Sequence, residues 1–246
     1  MYFYFMRVLI IIPCYNEETR LQQERFKLFF EKNTLLHFLF VNDGSTDNTL
    51  DVLHQMHQAF PQQVTVLDVK QNGGKAEAIR QGMQASLDLN YDYFAYFDAD
   101  LATPLEEIPR LLSYAQKEPQ PYLIMGSRIK LLGSTDIQRK LSRHYIGRIF
   151  ATIISNMLSL PIYDTQCGAK LLRKEVVPML FDQPFLSKWL FDVELLFRLK
   201  KHFNDSASRI IEVPLKKWED VAGSKISFTY FLKAPLDLLR IYMRYK

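Results

Sequence analysis

The chain has 246 residues, of which 48% are hydrophobic and 24% are charged, a balance typical of a globular protein rather than a disordered one. Two cysteines, Cys14 and Cys167, are too few for a disulfide framework, which favours a reducing, cytoplasmic setting. No apolar run is long enough to predict a membrane-spanning helix, and the first twelve residues, interrupted by Arg7, predict a strand rather than a signal peptide.

Positive charge is concentrated in two parts of the chain. The net charge is +4, and residues 216–246 alone contain seven Lys or Arg against three Asp or Glu. A second stretch, 128–148, contains six Lys or Arg against one Asp. Because no nucleic-acid recognition motif accompanies either stretch, we expect no nucleic-acid partner. We expect these cations to face phosphate groups or a membrane surface instead.

The first half of the chain alternates predicted strands with predicted helices. Continuous apolar runs predict buried strands at residues 7–12, 37–41, 64–69 and 93–97. Apolar residues at helical spacing predict helices at residues 19–31, 46–58 and 74–89. This alternation predicts βαβ crossovers and a Rossmann-like α/β fold, with a mainly parallel sheet flanked by helices.

The second half is less regular and ends in a basic segment. It predicts a strand at 121–128, a helix at 142–158, a loop entering a strand at 164–172, and a helix at 189–203. We expect one domain over residues 1–215, followed by an amphipathic tail, residues 216–246, that Pro235 divides in two. The tail fits two alternatives: it rests on an anionic membrane surface, or it packs on the domain with its lysines solvated.

Each of the first four predicted strands runs into a polar cluster. The clusters are "PCYNEE", "NDGSTDN", "KQNGGK" and "DADLATP". In parallel sheets, ligands bind beyond the carboxyl ends of the strands. We therefore expect the four clusters to converge on one site.

The last cluster places Asp98 and Asp100 one residue apart. Carboxylates that close repel unless a cation lies between them, so they are candidate oxygen ligands for Mg²⁺ or Mn²⁺, with a diphosphate completing the shell. Short Asp-x-Asp matches are common by chance, and solvated aspartates are the alternative. The position beside three other polar strand ends favours the metal site.

Two further motifs have open interpretations. "QNGGKAEAIRQG" predicts a glycine turn whose amides bind phosphate, but the P-loop spacing is not met, and an ordinary turn with a solvated Lys75 fits equally well. Asp192 lies in the apolar helix "KWLFDVELLFRL", where it is either solvated or has a role as a base or as a contact to the acceptor.

Together these motifs resemble glycosyltransferase family 2, whose members are inverting enzymes with a GT-A fold. The resemblance extends through "MGSR", "DTQCGAKLL" and "KWLFDVELL", covers roughly residues 7–200, and is strongest to the branch that transfers sugars to polyprenyl or dolichyl phosphate. It implies a nucleotide-sugar donor, above all UDP-glucose, a divalent metal, and a lipid-phosphate acceptor held at the cytoplasmic face of a membrane.

The resemblance also implies roles for individual residues. It assigns Asp98 and Asp100 to the metal, Asp100 most firmly, and it makes Asp100, Arg128 and Asp192 the catalytic candidates. The implied acceptor-phosphate contacts are Arg128, Arg139 and Arg143. The implied nucleotide-sugar contacts are Pro13, Tyr15, Asn16, Glu17, Asp43, Lys75, Asp98, Ala99 and Asp100.

The chemical class of the acceptor and the sugar of the donor each have an alternative. A phosphate acceptor is already an anion at neutral pH and requires no general base, whereas a hydroxyl acceptor would require one, for which Asp192 is the candidate. Some mannosyl-transferring relatives have a glutamine where this chain has Ala102, which favours glucose over GDP-mannose. A non-catalytic nucleotide-binding module is a third alternative, and the intact Asp98/Asp100 pair disfavours it.

Overall fold

The computed structural model describes residues 6–133, 135–138, 141–221 and 228–246, and of 141–146 and 228–232 it describes the backbone alone. The strands are β1 (Val8–Cys14), β2 (Leu36–Asp43), β3 (Val64–Val69), β4 (Tyr93–Phe97), β5 (Leu123–Ser127), β6 (Asp136–Gln138), β7 (Ala169–Arg173), β8 (Ile210–Pro214) and β9 (Lys217–Glu219). The helices are α1 (Gln23–Lys32), α2 (Thr49–Ala59), α3 (Lys75–Gln84), α4 (Glu107–Leu112), α5 (Leu141–Leu158), α6 (Val177–Phe181), α7 (Phe191–His202) and α8 (Phe228–Tyr245).

Seven of the strands form one sheet in the order β3-β2-β1-β4-β7-β5-β8, and β6 pairs with β9 in a second, two-stranded sheet. All neighbours in the large sheet are parallel except β7, which runs antiparallel to both β4 and β5. The predicted α/β class with a mainly parallel sheet flanked by helices is thus confirmed. The antiparallel insertion of β7 and the small second sheet were not predicted.

The sheet separates two hydrophobic cores. Along β1, Val8, Ile10 and Ile12 point into one core and Leu9 and Ile11 into the other. Because successive side chains of a strand alternate between faces, a strand covered on both sides must be apolar throughout. This requirement explains the continuous apolar runs in the sequence. The first core includes side chains of α1, α2 and α4, and the second includes those of α3, α5, α6, α7 and α8.

The C-terminal helix α8 packs on the domain through its buried residues Ala234, Leu238 and Ile241. It continues through Pro235, so the prediction that this proline divides the tail in two is wrong. Proline disturbs only the turn that precedes it, and the buried residues after it hold the rest of the helix against the core. Within the predicted tail, β9 pairs with β6; whether residues 216–246 also act as a membrane-contacting unit stays a prediction.

A buried ionic network joins α7 to α8. Arg198 and Glu194 form an ion pair with Nη2 and Oε1 2.8 Å apart, and the Tyr245 hydroxyl donates to Glu194 Oε1 at 2.9 Å. The Arg198 guanidinium also donates to the backbone carbonyls of Leu180, Gln183 and Pro184. Because Glu194 is fully buried, the pair is stable only while both charges are present.

We expect Glu194→Ala to lower the free energy of unfolding by about 3–5 kcal/mol, because it leaves the Arg198 charge buried without a partner. Urea unfolding followed by circular dichroism measures the change. Glu24→Ala is the matched control, since it removes an exposed glutamate from the Lys27 ion pair, where we expect almost no effect. Equal urea midpoints for the two variants would contradict a stabilising role for the network.

Candidate active site

The topology brings the polar clusters to one edge of the sheet. β1, β2, β3, β4 and β5 run in the same direction, so their carboxyl ends share that edge. Because β7 runs the opposite way, the loop that precedes it, residues 164–168, lies at the same edge. The expected convergence of the four clusters is therefore present, and "DTQCG" joins them.

The loop after β1 is tied to the loop after β2 by hydrogen bonds. Asn16, which has a positive φ of 48°, accepts a hydrogen bond from the Thr46 amide on its Oδ1 at 2.8 Å. The Glu17 amide donates to Thr49 Oγ1 at 2.7 Å. Pro13 lies within β1 opposite Val41. Asn16 and Glu17 thus hold the two loops together, beside the partly exposed Tyr15.

Asp43, at the end of β2, builds the glycine turn that precedes α3. Its carboxylate accepts hydrogen bonds from the amides of Gly73 and Gly74 at 2.9 and 2.8 Å and from Asn72 Nδ2 at 3.0 Å. Burial raises the pKa of Asp43, although these amide bonds act against that rise. Gly44 follows with a φ of 63°, and a Cβ there would lie 2.6 Å from the Asn72 nitrogen, so only glycine fits.

Lys75, the first residue of α3, forms an ion pair with Asp98. The alternative of a solvated lysine is therefore wrong: only 24% of its side chain is exposed. Burial alone would lower the pKa of Lys75, but the negative charges of Asp98, Asp192 and Asp100 raise it above its usual value. Lys75 is thus a fixed cation between carboxylates.

Asp98 and Asp100 lie in the loop after β4, with the buried Ala99 between them. Gly168 packs against Asp98 so closely that a Cβ would lie 1.9 Å from Asp98 Oδ2. Asp100 Oδ1 accepts the Ala102 amide at 3.1 Å, and Arg20 lies 3.8 Å from Asp100 Oδ2. Burial, followed by the charge of Asp98, raises the pKa of Asp100. A cation bound here would relieve that repulsion.

The pair is suited to a metal that shares its other ligands with a substrate. Among the described residues, no group of three or more His, Cys, Asp or Glu could hold a metal ion. Mg²⁺ characteristically binds one or two carboxylates together with substrate phosphates. Two partly exposed carboxylates, 34% for the Asp98 side chain and 28% for Asp100, fit that arrangement. Asp98 and Asp100 could hold such an ion, with substrate phosphates and water completing its shell.

Asp192 is buried, so the alternative of a solvated aspartate is wrong. It lies in the first turn of α7, where every residue from Phe191 to Leu199 is buried. Its Oδ1 is 2.7 Å from the ammonium of Lys170, which has no exposed surface, and it also accepts the Tyr96 hydroxyl. Lys170 donates in addition to the carbonyls of Thr165 and Cys167 at 3.0 and 2.7 Å.

Arg128 follows β5 and is held by Asp164. Its Nε and Nη2 donate to the two Asp164 carboxylate oxygens at 2.7 and 2.8 Å, a bidentate fork. Its guanidinium also lies 5.4 Å from the Trp218 ring centre. Burial alone would lower the pKa of Arg128, but Asp164 raises it, and Asp98 contributes to the rise. Arg139, the second predicted phosphate contact, lies outside the described residues, and so does the Arg143 side chain.

The sequence interpretation missed the partners of these residues. Lys170 and Tyr96 bind Asp192, Asp164 binds Arg128, and Gly168 packs on Asp98. One signal was available: Lys170 interrupts the apolar run "CGAKLL", and a lysine in a buried strand needs a buried acceptor. The identity of that acceptor required the fold.

Several known proteins resemble this chain along most of its length. Those named dolichyl-phosphate beta-glucosyltransferase from Mus musculus and Homo sapiens are each 30% identical to it, over 96% of this chain and 75% of theirs. A protein of the same activity name from Trichomonas vaginalis is 28% identical, over 97% of this chain and 74% of its own.

Among solved structures, the crystal structure of glucosyl-3-phosphoglycerate synthase from Mycobacterium tuberculosis in complex with UDP has a TM-score of 0.69 at 16% identity. It covers 97% of this chain and 81% of that one. A second structure of that protein, with Mn²⁺, UDP and glucosyl-3-phosphoglycerate, also has a TM-score of 0.69. This likeness establishes the GT-A fold.

The sequence pattern of the family described as glycosyl transferase family 2 matches residues 9–181, well over half of the chain. That range contains the Lys75, Asp98 and Asp100 cluster and the loop that packs on it. The chain therefore belongs to glycosyl transferase family 2 and is a glycosyltransferase.

Proposed function

We propose that this protein transfers glucose from UDP-glucose to a polyprenyl phosphate such as dolichyl phosphate, with inversion at the anomeric carbon. The observation that carries the proposal is the likeness, over 96% of the chain, to proteins named for glucosyl transfer to dolichyl phosphate. The geometry of the candidate active site is compatible with each part of that reaction.

The donor would bind where the strand ends converge. Lys75 offers a fixed positive charge beside Asp98 and Asp100, and the Asn16–Thr46 hydrogen bond shapes the neighbouring loops. A diphosphate at this point would complete the shell of Mg²⁺ or Mn²⁺, which the Mycobacterium tuberculosis synthase holds with UDP. When bound, the metal would act as a Lewis acid that takes up negative charge on the leaving diphosphate.

The reaction joins two anions at one carbon. A phosphate oxygen of the acceptor forms the bond to the anomeric carbon of glucose, and the bond between that carbon and the UDP oxygen breaks. The electron pair of the broken bond leaves with UDP, and no proton has to be removed from the acceptor. The requirement is therefore for fixed cations, which Lys75 and Arg128 supply at this edge of the sheet.

The environment of Asp192 favours a phosphate acceptor over a hydroxyl acceptor. A general base must reach the proton that it removes and must be able to accept it. The Oδ1 of Asp192 is already bound by the ammonium of Lys170 and by the Tyr96 hydroxyl, and the residue is 3% exposed. We propose that Asp192 positions Lys170 and the loop at 164–168 rather than acting as a base.

We further propose that the protein binds the cytoplasmic face of a membrane through the outer surface of α8. Leu236, Leu239 and Met243 are exposed there, at 59%, 50% and 65%, and Arg240 and Arg244 are exposed beside them. An exposed apolar stripe flanked by cations is typical of helices that lie on anionic lipid. No described helix is long and apolar enough to cross a membrane.

In a transfer assay with Mg²⁺ or Mn²⁺, we expect label from UDP-glucose to enter the organic phase when a polyprenyl phosphate is present. We expect the label to be at least roughly 100-fold less in Asp100→Asn, which weakens stabilisation of the leaving diphosphate. Asp51→Asn is the matched control, since Asp51 is an exposed aspartate on α2. Scintillation counting of the extracted lipid, with GDP-mannose and UDP-N-acetylglucosamine in parallel, gives the result.

The assay separates the alternatives. Label from GDP-mannose alone would keep the lipid acceptor and overturn the choice of glucose. Donor binding without any lipid product would favour a hydroxyl acceptor. Failure to hydrolyse or transfer any sugar nucleotide would favour the non-catalytic module.

We expect Asp192→Asn to lose stability, because it leaves the buried charge of Lys170 without its partner. We expect the double variant Asp192→Asn/Lys170→Met, which removes both charges, to recover much of the stability. We expect it to transfer glucose at the same rate as Lys170→Met alone, since both lack the ammonium that holds the loop at 164–168. Urea unfolding and single-turnover transfer measure the two quantities. A double variant that folds stably yet transfers about 10²–10⁴-fold more slowly than Lys170→Met would instead indicate that Asp192 is a general base and that the acceptor is a hydroxyl.

We expect Leu239→Glu/Met243→Glu to reduce co-sedimentation with anionic lipid vesicles, since both changes place charge on the exposed apolar face of α8. Leu28→Glu is the control, because Leu28 is also exposed, at 55%, but lies on α1, across the sheet from α8. Equal loss of vesicle binding in both proteins would contradict a specific role for α8.

A further inference from the structure

A cavity lies between α5 and the loop that precedes β7, at the same edge of the sheet as Asp98. Its lining includes Arg128, Arg148, Tyr163 and Gln166, with Phe150 and Ile154 on the α5 side. Its volume is about 70 Å³, several times the roughly 10–15 Å³ that one water molecule requires. The cavity is thus large enough for a tetrahedral anion.

Two side chains of the cavity, Arg148 and Gln166, have N–H groups that no acceptor among the described residues binds. Arg148 lies flat on the Tyr163 ring, 3.4 Å from its centre, and Nη1 donates to the Tyr163 carbonyl at 3.2 Å. Stacking and one carbonyl bond fix the position of this guanidinium but leave most of its five N–H groups for another acceptor. Gln166 Nε2 is fully buried and has no hydrogen-bond partner among the described residues. A buried donor without an acceptor is costly, and an anion in the cavity would supply one.

The charge balance of the cavity also favours an anion. Arg128 and Arg148 contribute two positive charges, and Asp164 contributes one negative charge, which Arg128 binds on both oxygens. Glu212, which is not part of the cavity lining, accepts the amides of Tyr163 and Asp164 at 2.7 and 2.6 Å. Among the described residues that line the cavity, Arg148 is the cation to which no carboxylate is bound.

The position of the cavity relates it to the acceptor rather than to the donor. It lies at the edge of the sheet that carries Asp98, and Arg128 is part of its lining. The proposed place of the UDP diphosphate, at Lys75, Asp98 and Asp100, includes none of the residues that line the cavity. The second anion of the proposed reaction, the acceptor phosphate, fits this position.

We infer that Arg148 and Gln166 bind the phosphate of the lipid acceptor in this cavity. This inference rests on the proposed function, and it adds two residues to the contacts that the sequence implied. Arg128, which Asp164 holds in place, would orient the same phosphate toward Asp98.

The first test is a binding measurement that needs no turnover. Farnesyl phosphate is titrated calorimetrically into the protein saturated with UDP and Mg²⁺. We expect Arg148→Gln to weaken binding about 10- to 100-fold, since it removes a charged hydrogen-bond donor to the phosphate. We expect Gln166→Glu, which places a carboxylate in the cavity, to weaken it similarly. Unchanged affinity in both variants would overturn the inference.

Arg209→Gln is the matched control. Arg209 also lies 3.4 Å from the centre of a tyrosine ring, that of Tyr122, and donates to a backbone carbonyl, that of Gln120 at 2.8 Å. Arg209 also forms ion pairs with Glu175 and Asp205, both at 3.2 Å, so its loss costs at least as much structure as that of Arg148. Arg209 does not line the cavity. If Arg209→Gln weakens farnesyl phosphate binding as much as Arg148→Gln, the effect is structural and the inference is wrong.

Steady-state transfer then distinguishes binding of the acceptor phosphate from binding of the UDP diphosphate. It also tests the phosphate cavity separately from the proposed function. We expect Arg148→Gln to raise KM for polyprenyl phosphate about 10- to 100-fold while KM for UDP-glucose stays within about twofold. A rise in KM for UDP-glucose alone would assign the cavity to the diphosphate and overturn the inference. If the unaltered protein transfers no glucose yet binds farnesyl phosphate through Arg148, the proposed function fails and the phosphate cavity stands.

Discussion

The buried ion pair between Lys170 and Asp192 is the constraint on which the candidate active site, at the carboxyl ends of the parallel strands, depends. Lys170 lies on β7, the one strand of the large sheet that runs against its neighbours, and Asp192 lies in the first turn of α7. The same ammonium binds the carbonyls of Thr165 and Cys167. A strand, a helix and a loop thus meet at one charge, and since that charge has no access to water, none of its partners can move without leaving it unpaired.

The effect of this pair extends to the other residues of the candidate active site. With the loop at 164–168 fixed, Gly168 lies against Asp98 and Asp164 holds Arg128. Lys75 then lies within the field of Asp98, Asp100 and Asp192. Carboxylates and cations are paired along this edge, which is the arrangement that the proposed metal, diphosphate and acceptor phosphate would need. Such preorganised charge is the usual source of catalysis when two anions must meet.

The second hydrophobic core connects this edge to the surface that we propose meets the membrane. The helix α8 is bound to α7 by Glu194, Arg198 and Tyr245, and α7 carries Asp192. The cationic cavity opens beside α5, which packs on the same core through Ile154. The exposed apolar residues of α5 and α8 therefore belong to helices that are anchored in the core behind the candidate active site.

The sequence by itself determined the α/β class, because a strand buried on both faces must be apolar throughout and its crossover helices must be amphipathic. It also determined that Asp98 and Asp100 lie together at a strand end, since neighbours in sequence cannot be separated by folding. β3 (Val64–Val69) and β4 (Tyr93–Phe97) have the predicted bounds. These features depend on local order alone.

Only the tertiary structure decided which charges are paired. Lys170 and Asp192 are far apart in sequence, and their contact arises because β7 is inserted antiparallel between β4 and β5, which no local pattern predicts. Asp192, which sequence reasoning left open to solvation, is buried through the same contact, and α8 continues through Pro235 because Leu238 and Ile241 pack on the core. Burial, the sign of a neighbouring charge and the path of a strand across a sheet are properties of the folded chain. They determine whether a carboxylate acts as a ligand, a base or an anchor.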